Sequence, residues 1–318
     1  MSSDAGSLKR SATDKLTTWI HALRAPFLTA SALPVFVGAS AAYWKTGGLA
    51  WGRLVAALGG VVCLHLSANL ANDYFDYVTG CDDLNPQPTP FSGGSRVIQR
   101  SLISARAILA ASGVFCVLAV IQGLWLNAAM NHIRPGNTVL WLGLVGIAGG
   151  LVYSAGPLRL SYRGAGEVVV FALFGPLVVA GSYFCQTGHL GWFPLLASLP
   201  AGLLVLAILL VNEVLDVDWD ARAGKRTLVV RLGRRGGYAL YLAAYLGAYA
   251  WLGAGIVAGI YPPLALVALA PLVVLRRLLP GSALRDRAST VNASRLTVIS
   301  HTVSAGLIAA SYFLDRVL

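Results

Sequence analysis

The sequence predicts an all-α polytopic membrane protein, a single domain with about nine transmembrane helices. The chain has 318 residues with a mean hydropathy of +0.70, and only 12% of its residues are charged. An average soluble domain is far less apolar. Apolar windows of about 20 residues, the length that crosses a hydrocarbon core, recur along nearly the whole chain. Because unpaired backbone groups are costly in lipid, these windows should be helical.

The apolar windows give the order of the expected elements. Residues 1–22 are polar and lack the apolar core of a signal peptide, so we expect a short, mobile cytoplasmic tail. Residues 23–318 then form the transmembrane domain. Tyr261, Pro262 and Pro263 separate the window at 237–259 from the window at 262–279. The nine windows lie near residues 26–44, 54–78, 104–125, 138–156, 166–186, 192–215, 237–259, 262–279 and 296–314.

The net charge of +11 follows membrane topology and does not indicate nucleic-acid binding. With a cytoplasmic N-terminus, 20 of the 24 Lys and Arg residues lie on the cytoplasmic side. This agrees with the positive-inside rule and favours contact with anionic lipid. Arginine outnumbers lysine 20 to 4, which favours a bacterial source and hence the bacterial cytoplasmic membrane. Neither the cysteines nor the histidines have the spacing of a zinc site, and the oligomeric state stays open.

Two acidic clusters lie at the ends of two apolar windows. The second window ends in NDYFDYVTGCDD, residues 72–83, and the sixth ends in NEVLDVDWDARAGKRTL, residues 212–228. The nine-helix topology puts both ends on the cytoplasmic side. Eight of the 13 Asp and Glu residues lie in these stretches: Asp73, Asp76, Asp82, Asp83, Glu213, Asp216, Asp218 and Asp220.

Helical spacing arranges these acids on two faces, because residues three or four apart share a face. Like charges at this spacing repel, so a cation should neutralise them. Carboxylate and amide oxygens favour a hard ion such as Mg²⁺, which shares its coordination with phosphate oxygens. Two faces therefore suggest metal ions that bridge a diphosphate, while Asp218 points elsewhere. The faces are Asn69, Asn72, Asp73 and Asp76, and Asn212, Asp216 and Asp220.

Two other interpretations account for acids at such positions. Acids can cap helix ends at the membrane surface, but helix C-termini favour cations over anions. Acids inside a membrane can mark the ion path of an ion-coupled transporter. Here they cluster at one face of the membrane and not at mid-depth, which argues against transport.

The acidic stretches resemble the two aspartate-rich motifs of the UbiA superfamily of intramembrane prenyltransferases. The 1,4-dihydroxy-2-naphthoate prenyltransferases of menaquinone synthesis are most similar in these motifs. The resemblance spans most of residues 23–235, and beyond residue 236 only hydropathy matches. It includes LRAPFLTASALPVFVG at 23–38, SGGSRVIQRSLIS at 92–104 and YSAGPLRLSYRGAGEVVVFALFGPLVVAGSYFCQTG at 153–188.

The resemblance implies nine helices around a central cavity, with the acidic motifs under a cytoplasmic cap. It also implies Mg²⁺-dependent transfer of a prenyl group from a prenyl diphosphate to an aromatic acceptor, here 1,4-dihydroxy-2-naphthoate or a related quinone precursor. One departure concerns the first motif, because Gly80 stands where many members have the last Asp. Asp82 and Asp83 follow it, and the dihydroxynaphthoate branch is similar in this respect. We expect Asp82 to face the site and Asp83 to face solvent.

The same comparison assigns a role to each site residue. One magnesium ion is expected at the first motif and one at the second, with neutral groups from an asparagine of each motif. Basic residues near both motifs are candidates to bind the diphosphate oxygens, although the positive-inside rule explains the positions of some of them equally well. The metal residues are Asp73, Asp76 and Asp82 for one ion and Asp216 and Asp220 for the other; Asn72, Asn212, Arg24, Lys225 and Arg226 are expected to contact the diphosphate.

The segment after the fourth window and the loop before the third complete the expected site. Tyr153 is assigned as a catalytic residue beside Lys225, because an aromatic ring can face an allylic cation. Tyr162 and Arg159 are substrate-binding candidates in the same segment. Residues 86–100 are rich in proline and glycine and are expected to form a lid, with Arg96 as a further diphosphate contact.

A terpene cyclase of the same scaffold is the main alternative. It would use the same magnesium motifs and capture the cation within the prenyl chain itself, so the acidic clusters do not separate the two activities. The sequence leaves the prenyl chain length and the acceptor open.

Overall fold

The computed structural model describes residues 12–318, and within this range it is entirely α, 3₁₀ and π helix joined by turns and loops. Seven helices are long and apolar enough to cross a membrane. The apolar helix Thr138–Ser154 is shorter. This confirms the predicted class, an all-α integral membrane protein. The seven candidate spans are Ala25–Thr46, Trp51–Val78, Ala105–Asn131, Gly166–Thr187, Trp192–Arg222, Leu228–Val257 and Arg287–Val317.

The described chain contains thirteen α-helices, and two of the spans, Gly166–Thr187 and Trp192–Arg222, contain two of them each. Short 3₁₀ segments lie at Ala25–Leu28, Asp82–Leu84 and Leu160–Tyr162, and a π-helical turn, Leu173–Leu177, joins α6 to α7. The α-helices are α1 (Ala12–Ala22), α2 (Thr29–Thr46), α3 (Trp51–Val78), α4 (Ala105–Asn131), α5 (Thr138–Ser154), α6 (Gly166–Ala172), α7 (Val178–Thr187), α8 (Trp192–Ala197), α9 (Leu199–Arg222), α10 (Leu228–Val257), α11 (Leu275–Leu278), α12 (Pro280–Ala283) and α13 (Arg287–Val317).

The predicted count of nine spans is not confirmed. The window expected at 262–279 is a 3₁₀ segment, Pro263–Val274, followed by the single turn α11. Pro271 lies inside this segment, and a proline removes the backbone donor that an α-helix needs.

The polar N-terminal tail is only partly described. Residues 1–11 lie outside the described range, but Ala12–Ala22 is helix α1 and not an irregular tail. Ala22 is buried beside Leu70 and Ile108, and Trp19 packs against the same cluster. The helix is therefore fixed to the bundle at its C-terminal end.

The ends of α3 and α9 position the two acidic motifs. α3 ends at Val78, and Gly80 follows with a φ of +69°, in the left-handed region where glycine commonly ends a helix. Val78 is also the last residue of the expected window 54–78. The chain then makes the 3₁₀ turn Asp82–Leu84. α3 packs along α4, and α9 packs along α10 and α13, so each motif is carried by a helix held by long neighbours.

Four tyrosines connect α10 to the C-terminal part of the chain. All four are buried and lie on one face of α10. Their hydroxyls bond to Leu278 O (2.9 Å), Thr297 Oγ1 (2.8 Å), Ser300 Oγ (3.0 Å) and Ser304 Oγ (3.0 Å). Three of these four partners lie on α13, so α13 is fixed against α10 by polar contacts inside the bundle. The tyrosines are Tyr238, Tyr241, Tyr245 and Tyr249.

Candidate active site

Lys225 lies between the two acidic motifs. Its Nζ is 3.4 Å from Asp220 Oδ1 and 4.0 Å from Asp76 Oδ1. Burial alone lowers the pKa of Lys225, but the carboxylates of Asp76 and Asp220 outweigh it and hold the pKa well above its ordinary value. The lysine is therefore charged at neutral pH. It connects the end of α3 with the end of α9, two stretches that are far apart in sequence.

The first motif contacts Arg24, the residue that precedes the first span. The Arg24 guanidinium forms an ion pair with Asp73 Oδ1, and the backbone N–H of Ser95 donates to the same oxygen at 3.3 Å. Among the residues that the structure describes, Asp73 Oδ2 is buried and has no hydrogen-bond partner. Asn72 Nδ2 donates to Asp76 Oδ2 at 2.5 Å. The second oxygen of Asp73 is thus left without a partner in the described chain, and Asp73 itself lies outside both cavity walls described below.

Asp82 and Asp83 face opposite environments. Asp82 is 5% exposed and lines the polar cavity described below, whereas Asp83 is exposed. Burial, followed by the charge of Asp76, raises the pKa of Asp82 to about 7. Gln99 Nε2 donates to Asp82 Oδ2 at 3.3 Å. Asp82 therefore faces the polar cavity and Asp83 faces solvent; the role of Asp82 as a metal ligand stays a prediction.

The second motif is held by contacts from outside itself. Asn85 Nδ2 donates to Asp216 Oδ1 at 3.0 Å, and Ser294 Oγ donates to Asn212 Oδ1 at 2.5 Å. Asp218 is exposed and pairs with Arg234 at 2.8 Å, so it points away from the other acids, as its spacing predicts.

Two adjoining cavities lie among these residues. The polar cavity has a volume of about 170 Å³, and its wall includes Lys225 and acids of both motifs: Asp76, Asp82, Glu213, Asp216 and Asp220. The apolar cavity has a volume of about 360 Å³ and extends between α2, α3, α4, α5, α7 and α9. The two cavities share part of their walls, so a molecule with a charged head and an apolar tail fits across them. The shared residues are Arg24, Asn72, Phe91, Tyr153, Leu209 and Asn212.

The remaining basic and aromatic candidates differ in position. Tyr153 lines both cavities. Tyr162 does not line either one; its ring lies 5.2 Å from Lys225 Nζ and 5.7 Å from Arg159 Cζ, and its hydroxyl is 3.2 Å from Thr79 Oγ1. Arg226 is exposed and outside both cavity walls. Tyr162 thus contacts Lys225 from outside the cavity. Arg159 and Arg226 line neither cavity.

The loop expected to form a lid does cover the polar cavity. Ser92, Gly93 and Gly94 line this cavity. Arg96 is buried, but its Nε donates to Gly93 O at 2.7 Å and its Nη2 to Asn85 O at 2.8 Å. The guanidinium therefore holds the loop together and is absent from the cavity wall, so the structure gives it an ordering role in place of the expected diphosphate contact.

Comparison with known proteins identifies the family. A model described as "UbiA prenyltransferase family" matches residues 31–296. The chain belongs to the UbiA prenyltransferase family. Among its UbiA relatives, 1,4-dihydroxy-2-naphthoate octaprenyltransferase of Mycobacterium tuberculosis is 34% identical over 217 residues, which are 68% of this chain and 70% of the relative. The 2-carboxy-1,4-naphthoquinone phytyltransferase of Synechocystis is 33% identical over 224 residues, 70% of this chain and 68% of the relative.

Solved UbiA homologues share the fold. The apo structure of a UbiA homologue from Aeropyrum pernix K1 has a TM-score of 0.66 at 18% identity and covers 90% of this chain and 97% of its own. A UbiA homologue from Archaeoglobus fulgidus, solved with GPP and Mg²⁺, has a TM-score of 0.63 at 15% identity and covers 95% and 100%.

Several residues that line the polar cavity of this UbiA member have no role in the sequence analysis, and three of them can take part in polar chemistry next to the acids. They are Glu213, Cys81 and Asn85. Glu213 and Cys81 lie inside the two quoted motifs, and Asn85 follows the first motif by two residues, so proximity to the acids is the signal that identifies them. Their contacts depend on how the loop folds back, which the spacing does not reveal.

The donor set suits a hard divalent cation that is shared with a ligand. Across residues 12–318, no three His, Cys, Asp or Glu side chains converge closely enough to hold a metal ion by themselves. Mg²⁺ does not require such a cage, because it keeps waters and binds through one or two carboxylates together with phosphate oxygens. The free buried oxygen of Asp73 and the cavity-facing Asp82 fit this kind of coordination.

Proposed function

We propose that this UbiA family member transfers a prenyl group from a prenyl diphosphate to 1,4-dihydroxy-2-naphthoate or a related aromatic quinone precursor within the membrane. The curated relatives support this acceptor class, since several are named for a naphthoate or naphthoquinone substrate. The observation that carries the proposal is the pair of adjoining cavities, one polar and acidic and one apolar, with Tyr153 in both walls.

The proposed diphosphate position is the polar cavity. Asp73, Asp76 and Asp82 would hold one Mg²⁺ ion and Asp216 and Asp220 a second, and these ions when bound would neutralise charge on the diphosphate. The homologue solved with GPP and Mg²⁺ supports divalent-metal use. Lys225 supplies a protonated donor between the motifs, and Asn212 supplies its amide.

The proposed reaction forms one carbon–carbon bond. The allylic carbon–oxygen bond breaks and the diphosphate leaves with both electrons. An aromatic carbon of the acceptor bonds to the allylic carbon, and the acceptor ring then loses a proton. Tyr153 borders both cavities at the junction where the allylic carbon would lie, and its ring would stabilise the cation by about 0.5–2 kcal/mol. The covering loop limits access of water, which would otherwise capture the cation.

We further propose that the acidic motifs lie on the cytoplasmic side of a bacterial membrane. The Lys and Arg distribution supports this orientation, because 20 of 24 lie in segments on the side of the motifs. The prenyl tail would extend into the apolar cavity, whose wall is formed by membrane-spanning helices.

The test is an assay of the purified protein with Mg²⁺, geranylgeranyl diphosphate and a panel of phenolic acceptors that includes 1,4-dihydroxy-2-naphthoate. Acceptor-dependent release of diphosphate with formation of the prenylated acceptor supports the proposal. Release of a hydrocarbon without an acceptor would identify a terpene cyclase instead, and no turnover with any acceptor would overturn the proposal.

Two variants connect this activity to the site. Asp73→Ala and Asp216→Ala are both expected to abolish turnover. Asp216 lines the polar cavity, so its loss should leave the fold intact. Asp73 pairs with the partly buried Arg24, so Asp73→Ala should also lower the unfolding temperature. Turnover within a few-fold of wild type in either variant would contradict the metal assignment. Size-exclusion profiles and thermal unfolding of the two variants check the fold.

A further inference from the structure

The start of α13 contacts the second acidic motif and the covering loop at once. Asp286 caps α13, since its side chain accepts from Ser289 N at 2.7 Å, so the next residue, Arg287, has a fixed backbone. Its Nη1 donates to Leu215 O at 3.0 Å and its Nη2 donates to Gln87 O at 2.6 Å. One guanidinium thus joins α9 to a loop more than one hundred residues earlier in the chain.

Both contacts of Arg287 lead to Asp216. Leu215 is its neighbour in the chain. Gln87 N donates to Asn85 Oδ1 at 2.9 Å, and Asn85 Nδ2 donates to Asp216 Oδ1 at 3.0 Å. These contacts form a closed ring. The bond to Leu215 O fixes the backbone next to Asp216, and the bond from Asn85 fixes the carboxylate oxygen of Asp216. A planar guanidinium with donors in a fixed fork is suited to such a bridge.

Ser294 acts on the same motif two turns further along α13. It lies seven residues after Arg287, on the same face of the helix, and it is fully buried. Its hydroxyl donates to Asn212 Oδ1 at 2.5 Å. Because the amide oxygen is occupied, the Nδ2 donor of Asn212 is left for the cavities that this residue lines.

We propose that Arg287 and Ser294 are positioning residues for the diphosphate site: Arg287 fixes Asp216 and the covering loop, and Ser294 turns the Asn212 amide toward the diphosphate. This rests on the proposed function. Neither residue lies in the two acidic motifs, so α13 takes part in the site through tertiary contacts. A site of this kind requires that the side chains that bind the metal and the diphosphate are held in place before the substrate binds.

The test compares each variant with a matched control on or next to α13. Arg287→Ala is compared with Arg285→Ala, because Arg285 is exposed and lies two residues earlier. Ser294→Ala is compared with Ser311→Ala, because Ser311 is also buried and its hydroxyl donates to Ile308 O of the same helix. Each purified variant is assayed for the KM of geranylgeranyl diphosphate, the KM of the acceptor and the Mg²⁺ concentration for half-maximal rate. The shift in unfolding temperature produced by Mg²⁺ with inorganic diphosphate is measured in parallel.

For Arg287→Ala we expect about a tenfold rise in the KM of the prenyl diphosphate and in the Mg²⁺ requirement, the size expected for a lost hydrogen bond to a charged group. The KM of the acceptor and the unfolding temperature without ligand should match those of Arg285→Ala. Arg287→Lys should stay closer to Arg287→Ala than to wild type, because an ammonium lacks the fork. Ser294→Ala should show a rise of a few-fold in the KM of the prenyl diphosphate.

The outcomes separate the two proposals. If wild type neither turns over nor gains stability with Mg²⁺ and diphosphate, the proposed function fails and this inference fails with it. If wild type responds and Arg287→Ala and Ser294→Ala respond like their controls, only the positioning role is overturned. Full recovery in Arg287→Lys would also overturn it. If Arg287→Ala does not fold, Ser294→Ala decides, and a normal diphosphate KM in that variant contradicts the inference.

Discussion

The charge of Lys225 depends on two carboxylates that repel each other. Asp76 and Asp220 approach its ammonium from different helices, and all three side chains are largely buried. A buried charge that loses its partner is strongly destabilising, whereas a complete pair is near neutral. Lys225 therefore balances the acids when no other cation is bound.

The first prediction follows from this balance. Lys225→Gln should lower the unfolding temperature in the absence of divalent cation, because it leaves Asp76 and Asp220 without their positive partner. Added Mg²⁺ should raise the unfolding temperature of this variant more than that of wild type, while turnover falls by on the order of 10²-fold through loss of a diphosphate donor. Thermal scans with and without Mg²⁺ measure both effects. An equal Mg²⁺ response in the two proteins would show that the lysine does not balance these acids.

The second prediction separates two adjacent acids. Asp82→Asn should reduce kcat by about 10²-fold or more and raise the Mg²⁺ requirement, since it removes a charged ligand from the polar cavity. Asp83→Asn should stay within about threefold of wild type, because Asp83 is exposed. A magnesium titration of both variants decides between them. The reverse ranking would exchange the two roles, and two near-normal enzymes would remove both acids from the metal site.

At the scale of the helices, α2 and α7 approach each other closely at Gly38. A Cβ on Gly38 would lie 2.2 Å from Val179 O and 2.9 Å from Ser182 Cβ. Ser182 Oγ also donates to Val35 O at 2.7 Å, which holds the same two helices together. α2 begins a few residues after Arg24, and α7 lines the apolar cavity, so this contact supports both ends of the site.

The third prediction tests this contact. Gly38→Ala should lower the free energy of unfolding by about 1–3 kcal/mol through overpacking, because backbone atoms must move to admit the methyl group. The control is Gly113→Ala on α4, where a Cβ would meet nothing within 4 Å, and an alanine there should be neutral or slightly stabilising. Chemical denaturation in detergent measures the difference. Equal stability of the two variants would show that α2 and α7 can separate without cost.

The sequence predicted the elements that follow local rules and missed those that depend on proline or on tertiary contacts. Gly80 marks the end of α3 because its backbone freedom is a local property. Asp82 and Asp83 then lie in the 3₁₀ turn Asp82–Leu84, where Asp82 is buried and Asp83 is exposed. The span expected at 262–279 has sufficient hydropathy but is not confirmed, since the segment is 3₁₀ helix over Pro263–Val274 and contains Pro271, and a proline lacks the backbone donor of a regular α-helix. Arg287 lies outside the two acidic motifs, and its proposed role depends on the packing of α13 against α9.

At the scale of the whole molecule, the site joins parts of the chain that share no local structure. The first motif lies at the end of α3 and the second at the end of α9, and the loop and α13 connect them through Asn85 and Arg287. The negative charge of these motifs opposes binding of a diphosphate, which is itself an anion. A divalent cation removes this repulsion, so each of the two ligands should favour binding of the other. The metal and the diphosphate should therefore stabilise the folded bundle mainly when both are present.

The last prediction measures this coupling. Inorganic diphosphate alone should leave the unfolding temperature unchanged, and Mg²⁺ alone should raise it little, but the two together should stabilise the protein by about 2.7 kcal/mol when the bound ligand is present at 100 times its dissociation constant. EDTA should abolish both this gain and the prenyl transfer, and Mg²⁺ or Mn²⁺ should restore them. Asp216→Asn is the control, because it should lose the joint stabilisation while its unfolding temperature without ligand stays near that of wild type. Full transfer activity in EDTA would mean that the acids bind the diphosphate through protein cations such as Lys225, and the metal assignment would then be wrong.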